Sequence, residues 1–346
     1  MRNKKTSWFI VILIISVFAI NKLNAQNSKQ NSDGINLIIN DSAARYVLAD
    51  LPRAFIEKDS IWKRFRGYQI LTEWHKRNAV PVSDRVKAGL EIYLKDTINV
   101  SRFIKTQLLA VMDSLDQSYN IHRIDISKHL LSYLPSKKGF NVNIYVIALG
   151  SCSGTTLKND IMVDIWGSGV KVGSLLNGII HEVYHVGFEQ YKPDFEQLTN
   201  VTPTTNRMFF RKMFNEIQNE GMATWVAYNA LKNGLATLEI KKSDNLLSND
   251  YFMLESDSAV KKSISQINML IERTKYISLD SLNKEAWEVC AIQRASYITG
   301  AFMAKTIEDK YGREKLAELV VKDEREFIKE YNAVVSSNYQ IKIVDY

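Results

Sequence analysis

The 346-residue chain is 46% hydrophobic with 15 glycines and 5 prolines, which supports a sizeable core and excludes a disordered, collagen-like or repeat-built protein. Its formal charge of +7 gives no reason to expect nucleic acid as a partner. Arg2, Lys4, Lys5 and Lys22 all precede Ala25 with no acid among them, and the +3 that remains forms no basic stripe. Only two cysteines, Cys152 and Cys290, exclude a disulfide scaffold; the pair is expected either to bond or to stay free, and neither lies in a C-x-x-C pattern suited to zinc.

The early basic residues, an apolar run over 8–20 and Leu23-Asn24-Ala25 before Gln26 predict a signal peptide over 1–25. The run is shorter than the ~20 apolar residues of a permanent anchor, and no cysteine follows it to carry a lipid. The expectation is therefore a secreted or periplasmic protein with no stable membrane insertion after cleavage. Residues 26–34 are polar and expected to form a disordered leader. From 35 to 135 the apolar positions recur three and four apart, as in Ile61, Trp62, Phe65, Tyr68, Leu71 and Trp74, and predict an N-terminal helical region. His75, His122 and His129 fall here, each without a second metal-type neighbour at useful spacing, and are assigned surface or core roles.

The period then changes. Residues 140–149 and 160–166 alternate apolar and polar side chains and are rich in β-branched residues, which predicts two strands separated by a glycine-rich turn at 150–154. That turn lacks the Lys-Ser/Thr ending of a phosphate loop and does not feed a helix directly. The second strand, placed just before the next helix, is the expected sheet edge on which an extended peptide could pair.

That next helix is the stretch LLNGIIHEVYHVGF at 175–188, with Ser174 as its expected N-cap and His181-Glu182-x-x-His185 at its centre. Residues four apart stand one turn above each other, so both imidazoles can grip one ion while Glu182 faces a water on that ion. Zinc needs a third protein ligand and leaves its fourth position to water. Glu189 lies two turns from His181, ~12 Å along the axis, and cannot close the site. A ligand from a second packed helix is required, and Glu216 or Glu220, within the periodic run 208–228, meets that demand. Gly221 favours this helix, because an interior glycine is tolerated where another backbone approaches closely.

Asn219-Glu220-Gly221-Met222-Ala223 resembles the N-E-G-x-A stretch of the gluzincin metallopeptidases such as aminopeptidase N, whose glutamate is the third zinc ligand; the resemblance implies that role for Glu220. Tyr297-Ile298-Thr299-Gly300 resembles their Y-x-K-G helix, departing only at Thr299, and implies that Tyr297 steadies an oxyanion. The likeness spans about 130 residues, and it is nearer to secreted bacterial families described as zinc-dependent peptidases than to any one enzyme. The 34 residues between His185 and Glu220 are more than aminopeptidase N uses, and the G-x-M-E-N stretch that holds a substrate's free amine has no counterpart, so exopeptidase action is unsupported.

The expectation is thus a mostly α fold with a small β-sheet (α+β), in which residues 136–346 form a zincin-like catalytic region with a C-terminal helical wall. The wall includes an amphipathic run at 307–321 and a strand-like end at 341–344. Arg294, one turn before Tyr297, is expected to be ion-paired rather than to bind a substrate carboxylate, and Cys290 lies two turns before Tyr297. The chemistry expected is hydrolysis of a peptide or protein substrate, with zinc held by His181, His185 and Glu220 and with Glu182 as general base. The rival is a non-catalytic zinc-bearing domain that binds a peptide, for which a glutamate at position 182 would be unnecessary.

Overall fold

The computed structural model describes residues 34–77, 98–148, 154–167, 171–199, 201–236 and 245–344. The expected signal peptide, nearly all of the leader, Cys152 and most of the glycine-rich turn lie outside the described residues. Among the described residues no helix is long and apolar enough to cross a membrane.

Elements follow the order β1 (Asn36–Asn40), α1 (Ser42–Ala49), α2 (Leu51–Ile56), α3 (Lys58–Arg64), α4 (Arg66–Arg77), α5 (Ile98–Ser132), β2 (Asn141–Ile147), β3 (Gly154–Leu157), β4 (Asp160–Asp164), α6 (Val172–Tyr191), α7 (Phe195–Thr199) and α8 (Asn206–Lys232). The C-terminal part adds α9 (Leu246–Leu254), α10 (Asp257–Arg273), α11 (Leu279–Ala286), a π-helical turn (Trp287–Ile292), α12 (Ala295–Tyr311), α13 (Arg313–Val320) and α14 (Glu324–Asn332). The fold is mostly α with one small sheet, as the changes of period imply.

The four strands lie in the order β1-β2-β4-β3. β1 and β4 run parallel to β2, whereas β3 and β4 form an antiparallel hairpin whose tight turn places Lys158 at φ 55°. The alternation of β2 decides its neighbours: Val142, Ile144 and Val146 are buried on one face, while Tyr145 and Ile147 on the other meet α4 at Gly67. Arg66 at the start of α4 pairs with Asp160 at 2.8 Å across the same face.

Four expectations are corrected here. Residues 36–40, read as part of the helical region, form β1, and 341–344 carry no strand. The strand preceding the helix of His181 and His185 lies inside the sheet, and the edge beside that helix is β3, whose four residues are too few to show a period. Ser174 sits within the first turn of α6, which begins at Val172 with Lys171 as its cap.

α6 is buried on nearly every side, which marks it as a core helix rather than a surface one. It packs on the sheet, on α5 and on α8. Asn177 Nδ2 donates to the Ala227 carbonyl at 2.8 Å, and Tyr251 Oη donates to Asn177 Oδ1 at 2.6 Å, fixing α6 against α8 and α9. The tightest helix crossing joins α8 to α12, where an added Cβ on Gly221 would lie 2.2 Å from the Gly300 backbone. The close approach expected at Gly221 is present, but the approaching backbone is that of α12 rather than of α6.

Candidate metal centre

His181 and His185 stand four residues apart on α6, each 6% exposed, with ring planes at 85°. Their Nε2 atoms are 3.1 Å apart. From α8, Glu220 brings Oε2 to 3.2 Å from His185 Nε2 and 3.5 Å from His181 Nε2. The three side chains form a group that could hold a metal ion, with their ligand atoms within 4.8 Å of one another.

The donor set fits zinc. Three donors bound tetrahedrally at ~2.0–2.1 Å lie ~3.3 Å apart, which matches these spacings. His185 Nδ1 donates to Asn219 Oδ1 at 2.9 Å, which leaves the Nε2 lone pair of the neutral ring aimed at the cluster. Glu220 Oε2 is buried with no aligned hydrogen-bond donor, and His181 Nδ1 is also buried without a partner. A buried carboxylate oxygen left in that state is costly unless a cation satisfies it. Without metal the charge is met by a proton: burial opposes the charged form of His185, but the Glu220 carboxylate outweighs it and raises the pKa to about 10. Burial also works against ionised Glu220, yet the two imidazoles hold its carboxyl well below the usual range.

Glu182, next to His181 and half-buried, is oriented by the sheet edge. Thr156 Oγ1 donates to Glu182 Oε2 at 2.9 Å, and Gly154 leaves the room that Oε1 occupies, since a Cβ there would lie 2.7 Å from it. Neither β3 residue is foreseeable from sequence, because their partner lies 26 or more residues away and nothing in Gly-Thr-Thr-Leu marks it.

Tyr297, on the first turn of α12, lies parallel to the His181 ring, at 10° and 6.3 Å between centroids. Arg294 is ion-paired as expected, with Nε at 2.8 and 2.7 Å from the two oxygens of the fully buried Asp250. Glu216 is one turn from Glu220 but outside the cluster; burial first, and then the charge of Glu220, push its pKa up to about 7. Cys290 is buried; Cys152, the residue with which it would either pair or stay unbonded, lies outside the described residues. His129 is a core residue whose Nε2 donates to the Val226 carbonyl at 2.9 Å, and His122 is half-buried away from the cluster.

A small sheet flanked by helices, with two imidazoles and a carboxylate converging on one buried point, defines a chain suited to holding a metal ion. Comparison with family models makes this specific: residues 72–340, well over half of the chain, match the family described as "Putative zinc dependent peptidase (DUF5700)", and the protein belongs to that family. Neither the curated proteins nor the solved structures give a match.

Proposed function

We propose that the protein is a secreted zinc metallopeptidase of gluzincin type, in which His181, His185 and Glu220 hold the metal, Glu182 is the general base and Tyr297 steadies the oxyanion. The observation that carries this reading is the convergence of His181 Nε2, His185 Nε2 and Glu220 Oε2 at 3.1–3.5 Å, with an independently oriented carboxylate beside them.

Zinc bound there would acidify a water from a pKa near 15.7 toward ~7 and polarise the scissile carbonyl. The chain's own groups supply the rest. Thr156 occupies Glu182 Oε2, so Oε1 is the oxygen left to take the proton of the attacking water and return it to the leaving amine. The Tyr297 hydroxyl donates to the developing oxyanion, a type of contact worth roughly 2.7–4 kcal/mol. β3 ends the sheet beside Glu182, so its outer backbone groups suit pairing with an extended peptide, a mode that needs no particular side chain. The fold region from 136 onward acts as the zincin-like catalytic unit in this reading, and the N-terminal signal accounts for export.

The test is a peptide library digested by the purified chain with and without chelator. Cleavage that chelation abolishes and zinc restores is the expected result. Zinc binding without cleavage of any peptide or protein would leave a non-catalytic peptide-binding domain instead.

A further inference from the structure

We propose that Arg294, locked in place by Asp250, is a positioning residue for Tyr297, setting the tyrosine ring beside the metal cluster. The inference rests on the oxyanion role given to Tyr297 above.

Four independent features meet at this point. The guanidinium carbon of Arg294 lies 3.5 Å from the centroid of the Tyr297 ring, which is van der Waals contact over the ring face. Arg294 is not available to a substrate carboxylate, because Nε and Nη2 both bond to Asp250, whose side chain is 0% exposed. The Arg294 backbone takes φ 59° and ψ 27°, a left-handed conformation that a non-glycine residue keeps only when its surroundings hold it there. Only Gln293 separates it from the π-helical turn Trp287–Ile292, so α12 starts at a point that ordinary helix continuation would not reach.

These features act on one side chain. Tyr297 is on the first turn of α12, where the preceding turn of helix that normally limits its rotation is missing, and its ring lies parallel to that of His181, one of the three cluster residues. A planar guanidinium anchored at two atoms by a buried carboxylate supplies the missing wall. An ammonium at the same place would keep the charge but not the flat face or the forked bond to Asp250.

The test is a double-mutant cycle with the full zinc-loaded chain: wild type, Arg294→Lys, Tyr297→Phe and the double variant, each checked for zinc content and thermal unfolding. Arg294→Lys is expected to lower kcat about tenfold with KM within about twofold, and to add nothing in the Tyr297→Phe background. The same fall in both backgrounds would overturn the proposal and leave the pair as a tie between α9 and α12. Fluorotyrosine placed at position 297 supplies a reading that does not need activity. Its fluorine resonance is expected to be single and sharp in the wild type, and shifted and broadened in Arg294→Lys and Asp250→Asn; identical spectra would overturn the proposal. A wild type that hydrolyses no peptide would count against the peptidase reading alone, since the fluorine spectra still decide the positioning role. If Arg294→Lys fails to fold, the uncharged pair Asp250→Asn with Arg294→Gln takes its place with the same readings.

Discussion

Replacing Gly221 with alanine tests how the metal centre depends on the crossing of α8 and α12. The new Cβ would lie 2.2 Å from Gly300 Cα and its carbonyl carbon and 2.7 Å from the Ala301 nitrogen. All three are backbone atoms that cannot rotate aside, and carbon atoms pack at ≈3.5–4.0 Å, so the helices must part by over ~1 Å along this line. Overpacking of this kind typically costs ~1–3 kcal/mol, and an unyielding backbone places Gly221→Ala at the upper end. At roughly 2–4 °C per kcal/mol in domains of 150–250 residues, Tm should fall by about 6–12 °C. The consequence extends beyond stability, because Glu220 precedes Gly221 and Tyr297 is one turn from Gly300, so both move relative to α6. Thermal unfolding with and without zinc, alongside zinc titration, reads both effects; a loss of zinc affinity should accompany the lower Tm. The matched control is Gly234→Ala, where nothing lies within 4 Å and only the φ of 72° is violated, costing ~1–2 kcal/mol with zinc binding unchanged. A Gly221→Ala variant with wild-type Tm and zinc affinity would refute the close crossing.

Thr156→Val removes the hydrogen bond to Glu182 Oε2 and keeps the shape. A bond to a charged group is worth about 1.5–3 kcal/mol, so kcat/KM should fall roughly tenfold or more with zinc content unchanged, and an unaltered kcat/KM would show that β3 does not orient the base. Asn219→Ala strips His185 Nδ1 of its acceptor and should weaken zinc binding by about 10–100-fold, measured by competition with a chromophoric chelator. Zinc uptake near pH 7.5 should release about one proton, because His185, with a pKa of about 10 in the metal-free chain, is charged at that pH and must be neutral to bind. Calorimetry in buffers of different ionisation enthalpy counts that proton, and a count of zero would contradict the charged pair with Glu220. The sign for stability follows: the raised pKa of His185 stabilises the metal-free chain fully below its ordinary value of 6.5, and this contribution is lost as pH rises through about 10.

The residues that sequence alone brings together are those joined by helical periodicity. His181, Glu182 and His185 share a helix, so their relative placement depends only on 3.6 residues per turn. Glu220 was within reach because a third donor had to come from another helix and Gly221 marked a close crossing, although the crossing partner proved to be α12. Tyr297 was approached only through a resemblance, since a tyrosine in an apolar helix carries no signal of its own. Partners separated by long stretches of chain left no trace: Thr156 for Glu182, Asn219 for His185, and Asp250 for Arg294 across 44 residues. The sheet was legible where strands alternate, as at 141–147, and hidden where they are short. β1 pairs with β2 more than a hundred residues away, and β3 has four residues. The π-helical turn before Arg294 breaks the period that would have revealed it.

The most direct measurement of the central claim compares peptide hydrolysis by the wild type and Glu182→Gln, with zinc determined in both. Glutamine can still accept the bond from Thr156 at its carbonyl oxygen, while the amide nitrogen replaces Oε1 and cannot take a proton. The residue is not among the three that converge on the metal point, so about one zinc per chain should remain in each protein. General-base catalysis contributes about 10²–10⁴-fold, and hydrolysis should fall by at least the lower figure. Equal rates in the two proteins, with zinc present in both, would contradict the account and remove Glu182 as the base.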